Sequence, residues 1–136
     1  MIRTNRFSLP KHADPYESWP LRTRLFADGE PTEVRVPAYV MLHQFQVEDG
    51  YLLVADQDCP FEEATVFALL SHDLRLLSCR VVGAPYNAHL LTGLEWVNPR
   101  ELVASFGDDF RMRVTIRRRG IPILIPRLRI DHLRGR

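Results

Sequence analysis

The chain has 136 residues, 46% hydrophobic and 26% charged, with a formal net charge of +1; that is room for one packed core, and the composition excludes wholesale disorder. No apolar run approaches the roughly 18 residues that span a bilayer, and "MIRTNRFSLPKH" holds no apolar stretch of signal-peptide length. Two cysteines without CxxC spacing exclude a disulfide framework and a cysteine-rich zinc site, so the expectation is a cytoplasmic protein with reduced thiols and no membrane partner.

The small net charge conceals an uneven distribution. Residues 111–136 carry nine arginines against Asp131 alone, while residues 1–110 carry nine basic and sixteen acidic side chains. Such asymmetry points to an anionic partner, or to a basic strand lying beside acidic ones within a single fold.

In chain order, residues 1–37 hold five of the ten prolines and no sustained periodicity, and read as an irregular N-terminal arm before a single β domain over 38–136. Within the arm, "DPYESWP" places Asp14 at an N-cap, Pro15 at the first helical position and Glu17 three residues after the cap, which predicts one helical turn stopped by Pro20. Phe7, Tyr16, Trp19 and Phe26 give the arm apolar area to lay over the core or to offer a second subunit.

From residue 38 onward, apolar runs of strand length alternate with turn signals. "AYVMLHQFQV" and "YLLVAD" flank Asp49–Gly50, "TVFALLS" and "LRLLSCRVV" flank His72–Asp73, and "LLTGLEWV" and "ELVASF" flank Asn98–Pro99–Arg100. "FRMRVTIRR" and "IPILIPRLRI" complete the series around Gly120. Glycine tolerates positive φ and proline presets its own, so these dipeptides mark turns. The pattern predicts an all-β, antiparallel meander of seven or eight strands, as a sandwich or a small barrel of the SH3, Sm or OB kind by analogy.

Two strands reveal their faces. Phe110, Met112, Val114 and Ile116 alternate with Arg111, Arg113, Thr115 and Arg117, a half-buried strand. Leu77, Cys79 and Val81 share a predicted face, which makes Cys79 a small core residue. Pro122 and Pro126 lack the N–H of a ladder and confine the last run to an edge.

"DQDCPFEEAT" gathers Asp56, Asp58, Glu62 and Glu63 near Cys59. A two-residue turn at Asp49–Gly50 would set His43 opposite Asp56 and raise its pKa, whereas a three-residue loop would set it opposite Ala55. His43 with the four carboxylates forms a candidate site for a divalent cation or for hydrolysis, although D-x-D-x₃-E-E matches no established metal spacing. There is no Gly-rich phosphate cradle, G-x-S-x-G elbow or H-E-x-x-H motif, so no catalytic residue is assigned and no cofactor is implied.

The arginine-rich end offers a second candidate site. Arg111, Arg113 and Arg117 line one strand face, joined by Arg118, Arg119, Arg127 and Arg129. Their spacing suits the backbone of single-stranded RNA, but the strip lacks stacking aromatics, and a pI near 7.9 is low for a dedicated nucleic-acid module. A third candidate combines Tyr16 and Trp19 of the arm with Tyr86 and His89 of the loop "GAPYNAHLLTG" as a protein-contact surface. The leading functional expectation is a non-catalytic interaction module that binds a protein or itself; RNA binding through the arginines is the alternative, and a metal or hydrolytic site at 56–63 comes after it.

Overall fold

The computed structural model describes residues 1–11, 22–57, 64–83, 91–106, 110–118 and 127–133. Its strands are β1 Ile2–Arg3, β2 Phe7–Ser8, β3 Thr23–Ala27, β4 Glu30–Val36, β5 Val40–Val47, β6 Gly50–Asp56, β7 Ala64–Ser71, β8 Leu76–Gly83, β9 Leu91–Asn98, β10 Glu101–Phe106, β11 Phe110–Ile116 and β12 Leu128–Leu133. They form three antiparallel sheets, in the orders β1-β5-β6-β7-β8, β12-β11-β10-β9 and β2-β3-β4. All-β, antiparallel architecture is as expected; a closed barrel is not found, because among the described residues each sheet is open at both ends.

The five-stranded sheet is the middle layer, buried on both faces. Phe45, Val47, Leu52, Val54, Phe67 and Leu69 meet Leu102, Ala104, Phe106, Val114, Ile116 and Leu128 of the four-stranded sheet. On the opposite face Leu53, Ala55, Val66, Ala68 and Leu70 meet Phe7, Leu25, Ala27, Val34, Val36 and Ala38 of the N-terminal layer. Successive side chains of a strand point to opposite faces, so a strand covered on both sides needs an unbroken apolar run. "LLVA" in β6 and "ATVFALL" in β7 supply it, and every residue in those two runs is buried.

The expectation of an irregular N-terminal arm is corrected. Thr23–Ala27 and Glu30–Val36 form a hairpin about Asp28–Gly29, whose φ values of 54° and 81° fit a two-residue turn matched to strand twist. Thr23, Leu25 and Ala27 alternate inward, and Pro31 is tolerated because β4 borders its sheet. Gln44 of β5 ties this layer to the middle one: its side-chain oxygen accepts from the Phe7 N–H at 2.8 Å, and its amide donates to the Phe7 carbonyl at 2.9 Å. The helical turn expected at 14–19 lies outside the described residues.

Three further expectations change. The turn between β5 and β6 is Glu48–Asp49, with Val47 opposite Gly50, and Leu42 is an extra residue in β5; His43 therefore faces Val54, and Asp56 faces Val40. A register shift near Leu77 turns that side chain toward the four-stranded sheet while Cys79 packs on the N-terminal side, so the two do not share a face, and Val81 is left 49% exposed. The last strand is an edge, as expected, but it starts at Leu128; Pro122 and Pro126 lie outside the described residues.

Candidate interaction surfaces

Of the proposed metal set, His43 and Asp56 are described and are not brought together. His43 Nδ1 accepts from Arg3 at 3.1 Å, and its ring stacks beside Phe45, over which the Arg3 guanidinium also sits at 5.0 Å. Burial, and then the Arg3 charge, push the His43 pKa below its ordinary value, the reverse of the rise expected from an opposed carboxylate. Among the described residues no three His, Cys, Asp or Glu side chains gather as a metal site. Asp58, Glu62, Glu63 and Cys59 lie outside the described residues, as do Tyr16, Trp19, Tyr86 and His89.

The arginines divide. Phe110, Met112, Val114 and Ile116 face the core as expected, leaving Arg111, Arg113 and Thr115 on the outer face of the four-stranded sheet. There the bases interleave with acids: Arg113 lies 3.7 Å from Glu101 and pairs across strands with Asp131, which Arg129 contacts at 2.9 Å. Arg127 leaves the strip altogether, turning to Asp49. Arg111, Arg117 and Arg118 have no ion pair among the described residues, and Arg119 lies outside them. This is a mixed surface, not a continuous cationic track for a phosphate backbone.

Sequence reading misses the most constrained polar cluster. Asp49 receives both terminal nitrogens of Arg100, at 3.0 and 3.2 Å, and one from Arg127 at 2.5 Å; these three side chains are only 16–18% exposed. Arg100 also donates to the Ile116 carbonyl and Arg127 to the Arg117 carbonyl, so the cluster stitches the β5–β6 turn to the four-stranded sheet. Burial alone would push the Asp49 carboxyl up, but the hydrogen bonds and charges of the two arginines outweigh it and hold the group below the ordinary carboxylate range. Positions 49, 100 and 127 share no local pattern, so only the turn signals at 49–50 and 98–100 hinted at the first two.

Beside this cluster opens a cleft of about 470 Å³ lined by Asp49, Ser71, Asp73, Arg75, Leu77 and Arg127. Among the described lining residues the hydroxyl is that of Ser71, and it serves a turn: Ser71 Oγ donates to Asp73 and accepts from the Arg75 N–H, supporting Leu74 at a φ of 62°. The serine hydroxyl lowers the Asp73 pKa, so the carboxylate is a poor proton acceptor near neutral pH and the pair does not resemble a nucleophile with its base.

What remains prominent is the outline of the sheets. Among the described residues, β8, β9 and β12 each border a sheet with one side unpaired. Leu76 and Val81 on β8 are 37% and 49% exposed, and Val97, an extra residue in β9, is 63% exposed. Comparison with known proteins returns no match: no family model, no curated protein and no solved structure aligns significantly with this chain.

Proposed function

We propose that the chain is a non-catalytic interaction module whose open sheet edges pair with a protein strand, in the first instance from another copy of itself. The observation that supports this reading is the border of the two larger sheets, where, among the described residues, β8, β9 and β12 have a strand neighbour on one side only. Unpaired strand edges are templates for a further strand, main-chain hydrogen bonds supplying affinity and alternate side chains supplying selectivity. Exposed Leu76, Val81 and Val97 add apolar area at two of these borders.

Amide hydrogen exchange read by mass spectrometry across a protein concentration series tests the reading. Protection that grows with concentration is expected in peptides covering β8, β9 or β12, together with a rising sedimentation coefficient. A monomer at every concentration, with no edge gaining protection, overturns self-pairing. Single-stranded RNA stands behind this reading because Arg113, Arg127 and Arg129 are engaged with carboxylates; tight, steeply salt-dependent binding of a labelled oligonucleotide would reverse the order.

A further inference from the structure

We propose that β12 is the seam of a two-fold dimer, pairing antiparallel with β12 of a second copy of this chain and centred on Ile130. The inference rests on the edge-pairing reading above and narrows it to one strand and one register.

Among the described strands, β12 is the border longer than two residues whose ladder runs without irregularity, from Leu128 opposite Ile116 to Leu133 opposite Arg111. The ladders of β8, β9 and β4 each contain a register shift, and β1 and β2 are two residues long. Bulges and short lengths blunt an edge, whereas a regular strand offers a straight row of donors and acceptors.

Backbone alternation fixes which groups that row contains. The Arg117 N–H donates to the Arg127 carbonyl at 2.7 Å, so residues 127, 129, 131 and 133 direct their polar groups at β11, and residues 128, 130 and 132 direct theirs to the open side. The Leu128 carbonyl agrees, since it accepts from Arg80 of β8, outside its own sheet, at 3.3 Å. A carbonyl has two lone pairs, so this contact leaves room for a second donor.

A two-fold axis at Ile130 then makes Ile130 its own hydrogen-bonded partner and sets Leu128 against His132 of the other copy. Arg129 falls opposite Asp131 of the other copy, twice, at the non-hydrogen-bonded positions where facing side chains come closest. Within one chain these two side chains already meet at 2.9 Å, at 54% and 36% exposure, so each has donors or acceptors free for the second pair. Moving the axis by one residue places Arg129 or Asp131 against its own copy, a like-charge contact. Register and charge thus select the same arrangement.

Two variants test it. Arg129→Asp puts four carboxylates at the seam and Asp131→Arg puts four guanidinium groups there, so each alone is expected to weaken the dimer at least about tenfold, at unchanged circular dichroism. An equimolar mixture of the two restores every opposed pair and is expected to yield a heterodimer by native mass spectrometry. In the wild type, amides 128, 130 and 132 gain protection with concentration, a measurement that needs neither variant to fold. A wild-type dimer indifferent to both substitutions, or one protected at β8 or β9 instead, overturns this seam while leaving edge pairing in place. A wild-type monomer at every concentration overturns both.

Discussion

Asp49 sits where the β5–β6 turn, the β9–β10 turn and the start of β12 meet, and removing its charge takes the carboxylate from little-exposed Arg127 and leaves Arg100 with the more exposed Glu48, at 3.4 Å. Asp49→Asn is therefore expected to cost about 2–4 kcal/mol in urea unfolding at neutral pH. The folded-state pKa lies below the ordinary 3.8, so the stabilisation is complete above that value and is lost as pH falls through the folded one. The gap between wild type and variant should accordingly narrow in acid. Next to it, Gly50 has a φ of 143°, and a Cβ there would stand 2.0 Å from the Leu70 carbonyl oxygen. Gly50→Ala cannot be relieved by moving a side chain, because the obstacle is backbone; a fall in Tm of at least about 10 °C is expected by calorimetry. The Asp-Gly pair was legible as a turn signal, but its register was not. A turn shifted to Glu48–Asp49 leaves no mark in the alternation of β5, and it sets His43 opposite Val54 rather than a carboxylate, while the extra residue at Leu42 sets Asp56 opposite Val40.

For whole strands, the sequence is readable wherever hydrophobic pattern and turn chemistry agree. Seven of the eight runs after residue 38 correspond to strands, Glu101–Phe106 residue for residue; of the eighth, only Leu128–Ile130 falls in a described strand, and residues 121–126 lie outside the described residues. The hairpin of β3 and β4 is obscured in the sequence by Pro31 and the prolines on either side of it, although Asp28–Gly29 is a turn dipeptide of the same kind as Asp49–Gly50. The same strands explain why a two-layer expectation falls short. A strand with one covered face alternates apolar with polar residues, but β6 and β7 do not alternate, and that continuity was the available sign of a third layer. Leu52 and Leu53 provide the check. They are neighbours in sequence, exposed 0% and 2%, and belong to opposite cores. Leu52→Ala and Leu53→Ala should each cost about 2–5 kcal/mol by denaturant titration; in a strand with one solvated face, one of the two would be nearly neutral.

Across the molecule, sequence position maps onto layers in a simple order. The N-terminal sheet and the middle sheet are complete by Gly83, and the other outer sheet is drawn wholly from residues 91–133. Charge follows the same division: Arg111, Arg113 and Arg129 lie in the outer sheet, and Arg127 reaches back to Asp49 in a turn of the middle one. Bulk charge arithmetic therefore reported a contact between layers as well as a surface. This layering has a consequence during synthesis. When residues 1–83 have emerged from the ribosome, Phe45, Val47, Leu52, Val54, Phe67 and Leu69 form a finished sticky wall whose cover, drawn from residues 91–133, is still inside the exit tunnel or not yet made. Stalled chains in which an unstructured linker after residue 90 carries the first two sheets clear of the exit tunnel should bind a general holdase, and should precipitate when released; chains that extend through residue 136 should do neither, as pelleting of ribosome-bound and released products would reveal.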